Sequence, residues 1–176
     1  RGLPKIGHAD WNDAIDAAGK RHKGESVWLA QALVRSLKYL AELAEIMGDK
    51  AKIEEYLDKA KTMTERVNEK CWDGDWYVRG FTDDGKPYGV KAYDEGKIFI
   101  MSQAWAILAS IAECERLQKV LKSCDKYLDG KHGIAMLYRA CTKFRPERGR
   151  ISMFSEGTKE NAAVFCSNDL CALEIW

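Results

Sequence analysis

The segment GHADWNDAID, residues 7 to 16, places three carboxylates, Asp10, Asp13 and Asp16, at intervals of three around Trp11. It follows a Gly-Leu-Pro turn and contains His8 and Asn12 as well. A carboxyl group can give or take a proton, and an indole offers a face on which a sugar ring can stack. Two readings fit: a capped loop that enters a helix, or a sugar-handling catalytic loop. Two more stretches are unusually rich in the same chemistry. One holds Trp72, Asp73, Asp75, Trp76, Tyr77 and Arg79; the other holds Arg145, Arg148, Arg150, Phe154, Lys159, Glu160 and Asn161. A pyranose presents C–H faces for stacking and hydroxyls for paired hydrogen bonds, so indoles beside carboxylates and amides suit it. Plainer roles also fit. Asp10 and Asn12 could be turn or cap residues, Trp72 and Trp76 could anchor a β-turn, the arginines could be surface charges, and His22 and His132 could simply be solvated.

These loops must be held by helices. Apolar residues at intervals of three and four predict a helix over 25–47, with Ser26 as its cap and Gly48-Asp49 as its end. A second helix is expected over 50–70, and the short link makes the pair an antiparallel hairpin. Residues 71–89 alternate and are broken by Gly and Pro, which reads as short extended segments and turns. Helices are expected again over 100–113 and 114–127. Residues 129–159 read as mostly irregular, and a last helix is expected to start near Glu160 and run to Trp176. No sequence repeat is present, but the order repeats: hairpin, long loop, hairpin, long loop, helix. The expected fold is all-α, part of an (α/α)6 toroid of helical hairpins with the long loops collected at one end. Arrays of helical repeats use hairpins too, but without such long aromatic loops.

The composition is that of a globular domain with a core: 176 residues, 46% hydrophobic, 31% charged, net charge +1. The balance gives no basic field for nucleic acid, and no apolar run approaches the ~18 residues of a membrane span. Six cysteines form no CxxC pair and have no histidine at a zinc-like offset, so no metal is expected. They read as reduced thiols of a cytoplasmic protein rather than a disulfide framework. The first residues contain no charged-then-apolar leader. Arg1 is not an initiator methionine and Trp176 ends an apolar run, so residues 1–176 are expected to be one partial catalytic domain of a longer chain.

Four stretches, GLPKIGHADWNDAID, GESVWLAQAL, EGKIFIMSQAWAIL and GTKENAAVFC, together resemble glycoside hydrolase family 94, the inverting β-glycoside phosphorylases. They occur in the family's order and span nearly the whole chain. The resemblance implies roughly the second half of an (α/α)6 barrel. It also implies a reaction: Asp13, the second acid of the Asp-Trp-Asn-Asp motif, protonates the glycosidic oxygen while inorganic phosphate attacks the anomeric carbon from the opposite face. Ordinary inverting hydrolases need a second carboxylate to activate water. Phosphate is already a nucleophilic anion, so one protein acid suffices. The products are an α-sugar 1-phosphate and a shortened sugar. Trp11 matches the family's sugar-contacting tryptophan, Asp10 and Asn12 hold the loop, and Glu160 belongs to the substrate site. An acid that works near neutral pH must be protonated there, so Asp13 is expected to be buried against Trp11 with the phosphate charge beside it. The resemblance implies no organic cofactor, inorganic phosphate as co-substrate, and a possible homodimer.

Three positions depart from the family pattern. The family's phosphate-binding histidine, seven residues after the Glu of Lys-Glu-Asn, is Ser167 here. A serine donates one hydrogen bond but brings no positive charge. On the acceptor side, cellobiose phosphorylases have glutamate and tyrosine where this chain has Arg150 and Phe154. The family's acid-reading enzymes have arginine at the first position and lysine at the second. Arg150 could therefore read an acidic acceptor through a bidentate pair, or it could pair with a neighbouring carboxylate. The leading expectation is a β-glucoside phosphorylase. The alternatives are the phosphorylase-like domain of a cyclic β-1,2-glucan synthase and a non-catalytic sugar-binding relic.

Overall fold

The computed structural model describes residues 1–165. Its largest elements are two antiparallel helices, α1 (Val27–Ile46) and α2 (Lys50–Lys70). Ser26 Oγ accepts the Leu29 N–H at 3.1 Å and starts α1; Asp49 does the same for Lys52 at 3.1 Å and starts α2. The hairpin buries Val27, Ala30, Val34, Leu37, Ala60, Met63 and Val67, which fall on the facing stripes of the two helices. Two shorter helices, α3 (Ile100–Leu108) and α4 (Cys114–Tyr127), pack below them. The expected 100–113 helix stops early. Ser110 takes a left-handed φ of 52°, and Lys38 of α1 donates to the Ala109 carbonyl at 2.7 Å, satisfying an orphan carbonyl at the helix end.

Helices dominate, but the connections carry short strands that an all-α reading does not contain. Strands β1 (Glu25–Ser26), β2 (Gly80–Phe81) and β3 (Pro87–Tyr88) form an antiparallel sheet in that order. β4 (Ile98–Phe99) pairs with β7 (Leu137–Tyr138), and β5 (Asp129–Gly130) pairs with β6 (Gly133–Ile134). Thus 71–89 is extended, as its alternation predicts, and 129–159 has more order than its composition suggests. Gln103 ties α3 to the strand region: its Oε1 accepts the Tyr77 N–H at 2.9 Å and its Nε2 donates to the Tyr77 carbonyl at 2.8 Å. A buried amide with both ends satisfied fixes one register between the two segments.

The helix expected to start near Glu160 does not form over 160–165. Lys159 and Ala162 have left-handed φ values of 47° and 65°, and Asn161 spends its side chain elsewhere. Its Oδ1 accepts the Cys141 N–H at 2.7 Å, and its Nδ2 donates to the carbonyls of Cys141 and Phe154 at 2.9 and 2.8 Å. An asparagine that bonds distant backbone competes with local helix. The remainder of that expected helix lies outside the described residues.

The core has two parts. The larger lies between the four helices and the three-stranded sheet. A smaller cluster of Ile6, Ala14, Ile15, Ala18, Tyr88, Phe99, Leu137 and Ile151 sits directly under residues 7–16. That second cluster is what fixes the acidic segment to the body of the fold.

Candidate active site

Residues 7–16 form a loop without a helix, pinned from below. Asp10 is the pin. Its carboxylate is fully buried and lies against the guanidinium of Arg79, itself fully buried. Arg79 Nη1 donates to Asp10 Oδ2 at 2.7 Å, and Nη2 donates to Oδ1. Ser26 Oγ donates to Oδ2 at 2.6 Å and the Asn12 N–H to Oδ1 at 3.1 Å. Arg79 then reaches a second loop residue: its Nε and Nη2 donate to Asn12 Oδ1 at 3.2 and 2.9 Å. Burial pushes the Asp10 carboxyl up, but the charge and hydrogen bonds of Arg79, with those of Ser26 and the Asn12 N–H, outweigh it and hold Asp10 below the usual carboxylate range. Asp10 is therefore a fixed anion and no proton donor. Asn12 Nδ2 is buried with no hydrogen-bond partner among the described residues.

The loop lifts its other side chains outward. Trp11 is half-buried, with its indole edge-on to Phe165 at 5.8 Å between centroids. Asp13 is exposed, which corrects the expectation that it is buried against Trp11. The anchoring of Asp10 and Asn12 explains this: the buried sites on either side of Trp11 are taken, so the next position turns to the surface.

Two long-range contacts bring the third loop to Asp13. Ala14 donates its N–H to Glu160 Oε1 at 3.4 Å, and Arg150 Nη2 donates to the Asp13 carbonyl at 3.2 Å. Arg150 is also paired with Asp16, through Nε at 2.8 Å and the backbone N–H at 3.0 Å. Gly149 makes that pairing possible: at φ 81° a Cβ would lie 2.0 Å from Asp16 Oδ1. Phe154 packs on the small cluster, with Lys159 Nζ 4.8 Å from its ring centre. Burial raises the Glu160 carboxyl above its ordinary value, and the charge of Asp13 adds to the effect. Trp11, Asp13, Arg150, Phe154 and Glu160 thus belong to one surface, with Asp10 and Asn12 beneath it. Ser167 lies outside the described residues.

The second aromatic stretch does not join them. Trp76 is only 2% exposed and donates Nε1 to the Gly89 carbonyl at 3.0 Å; Trp72 stacks edge-on with Tyr77 and lies under Arg116. Both are anchors. Arg145 pairs with Glu95 and Arg148 covers Tyr93, so of the three arginines in the last loop only Arg150 faces Asp13. His8, His22 and His132 are all exposed. A cavity of about 840 Å³ lies behind the loop, lined by residues that include Ile15, Tyr88, Tyr93 and Phe99, and Trp11, Asp13, Arg150, Phe154 and Glu160 do not line it. Among the described residues no cluster of three or more metal-ligating side chains occurs. No described helix is long and apolar enough to cross a membrane.

Arg79 is the site residue that sequence reasoning missed as a partner of the loop. The signal was there: a charge inside the stretch Tyr77–Phe81, every residue of which is buried, must have an opposite charge beside it.

An anchored loop that presents one acid beside an indole, flanked by a guanidinium and a second carboxyl, is equipped to protonate and grip a sugar. The comparisons agree with that class. The chain belongs to the glycosyl hydrolase 94 superfamily: the model of its catalytic domain matches residues 1–173. It is 41% identical to 3-O-beta-D-glucopyranosyl-beta-D-glucuronide phosphorylase of Paenibacillus borealis, over 94% of this chain and 21% of that protein. It is 38% identical to solabiose phosphorylase of the same organism, over 89% of this chain and 21% of that protein. It is 36% identical to cellobionic acid phosphorylase of Neurospora crassa, over 94% of this chain and 21% of that protein. The chain therefore spans about a fifth of the length of the curated relatives it matches.

Proposed function

We propose that this chain is part of the catalytic domain of an inverting β-glucoside phosphorylase, and that Asp13 is its general acid. The observation that carries the reading is the division of labour in one loop: Asp10 is locked as a buried anion by Arg79, while Asp13, three residues on, is left free at the surface. Asp13 gives its proton to the glycosidic oxygen as the bond to the anomeric carbon breaks. Inorganic phosphate attacks that carbon from the opposite face, and α-glucose 1-phosphate leaves with the shortened sugar. Trp11 offers a stacking face, and the half-buried Glu160, whose carboxyl burial raises above its ordinary value, offers oxygens to a sugar hydroxyl. The nucleophile is phosphate, so no second carboxylate is required to activate water. In sequence, Ser167 stands where the family has its phosphate-binding histidine.

An (α/α)6 barrel is the proposed setting. The stripe Leu33, Leu40 and Leu43 on α1, with Met47 at its C-cap, is exposed in this chain, and further helices packing there would bury it. A homodimer and a cytoplasmic location complete the proposal; among the described residues Cys71, Cys114, Cys124 and Cys141 are free thiols, which suits a reducing compartment. For the acceptor, we favour an acidic sugar. Arg150 supports it by position, and two of the relatives carry an acidic sugar in their names.

The test is phosphate release by the full-length protein from α-D-glucose 1-phosphate with glucose, gluconate or glucuronate as acceptor. Release is expected with an acidic acceptor. An Asp13→Asn variant is expected to lose about 10²- to 10⁴-fold of the rate with its fold intact. Full activity in that variant would rule out the role of Asp13.

A further inference from the structure

We infer that Arg79 is a positioning residue for the reaction: by gripping Asp10 and Asn12 at once, it sets the direction in which Trp11 and Asp13 face the substrate. This rests on the functional reading above. The guanidinium is fully buried and comes from the strand region, 69 residues from Asp10 in the chain. It holds both oxygens of Asp10, which precedes Trp11, and Oδ1 of Asn12, which follows it. The two residues flanking the indole are therefore tied to one rigid planar fork, and Asp13 continues directly from the second. Gly89 lets the neighbouring chain lie close against the Arg79 backbone from which this side chain springs: at φ 77° a Cβ there would lie 2.8 Å from the Arg79 backbone nitrogen. Among the described residues no other side chain bonds both neighbours of the indole: Ser26 holds Asp10, Glu160 accepts the Ala14 N–H, and Arg150 holds the Asp13 carbonyl and Asp16.

The chemistry separates positioning from simple stability. Lysine keeps the positive charge, so Asp10 stays paired and the loop stays folded. A single ammonium cannot grip both Asp10 oxygens and Asn12 Oδ1 in one plane. Arg79→Lys in the full-length protein is thus expected to lower kcat by about 10- to 100-fold, the scale of a misplaced catalytic group, with KM for phosphate held within about threefold. Gln103→Leu is the control: it also removes buried hydrogen bonds, but those go to Tyr77 and Phe99 and to none of residues 7–16, so it lowers the melting temperature and leaves kcat of the folded enzyme unchanged. Should Arg79→Lys fail to fold, Asn12→Ala removes half of the grip without unpairing a charge, and it is expected to lower kcat by at least about threefold. Wild-type kcat in the folded Arg79→Lys enzyme, or in Asn12→Ala where the lysine variant does not fold, overturns the inference. A change in KM alone does the same. Wild-type protein that shows no phosphorolysis overturns the functional reading itself, and it is assayed before any variant.

Discussion

If Arg150 reads an acidic acceptor, its removal must hurt acidic acceptors and spare neutral ones. The structure allows a magnitude. A guanidinium has five N–H donors. Arg150 gives its Nε–H to Asp16 and one Nη2–H to the Asp13 carbonyl, which leaves three N–H on the outer end of the group. Two of these can grip a carboxylate side by side without displacing Asp16. A hydrogen bond between charged partners contributes about 1.5–3 kcal/mol, whereas an exposed ion pair contributes about 0–1 kcal/mol. The Arg150 side chain is 61% exposed, so the outcome falls between the two ranges, just under the first, at about 1.4 kcal/mol or tenfold.

Arg150→Ala is therefore expected to raise KM for gluconate or glucuronate about tenfold in the synthetic direction. KM for glucose should stay within about twofold. Added salt should narrow the difference, since screening acts within about 10 Å at 0.1 M. Asp16→Asn tests the same reasoning from the other side. It removes a competing charge from an exposed pair, so KM for the acidic acceptor is expected to fall by up to about fivefold. The assay is phosphate release from α-D-glucose 1-phosphate at varied acceptor. Equal losses with gluconate and glucose would refute the argument, because they would mean that Arg150 acts through the Asp13 carbonyl it holds and not through the acceptor.

Three further outcomes follow from the same contacts. Glu160 has a raised carboxyl in the folded state, so folding binds its proton more tightly; the stability this gives is full below the ordinary carboxylate range and is lost as pH rises through the raised value. Glu160→Gln is expected to be more stable than the parent at neutral pH, with the gap closing toward about pH 4 in thermal melts; parallel pH profiles would contradict this. Gly149→Ala forces a Cβ into Asp16 Oδ1 and a left-handed φ onto alanine, so it should cost about 1–3 kcal/mol in denaturant melts and abolish the benefit of Asp16→Asn for acidic acceptors. Burial pushes the Cys71 and Cys124 thiols up to about 12, while Cys114 is exposed, so peptide mapping after brief alkylation should show Cys114 modified and the other two protected.

How much of this the sequence could disclose depended on range. α2 over 50–70 and α4 over 114–127 stand where their periodicity placed them, because each buries one stripe on its own neighbours. The helix expected from Glu160 was a local inference defeated by distant partners: Asn161 bonds Cys141, 20 residues back, and no pattern around Asn161 announces that. The acidic loop was legible as chemistry but not as architecture. Arg79 and Asp10 lie 69 residues apart, and Arg150 and Asp16 lie 134 apart, so which acid is locked and which is free is decided by contacts that spacing cannot encode. Even so, the choice was constrained. Asp10, Asp13 and Asp16 recur at intervals of three, yet among the described residues Arg79, just before β2, is the one fully buried arginine, and it can neutralise only one carboxylate. The carboxylate it takes becomes part of the scaffold. Asp16 is taken by an exposed arginine at the rim. Asp13 alone keeps its carboxylate without an ion pair among the described residues, which is the condition a proton donor must meet.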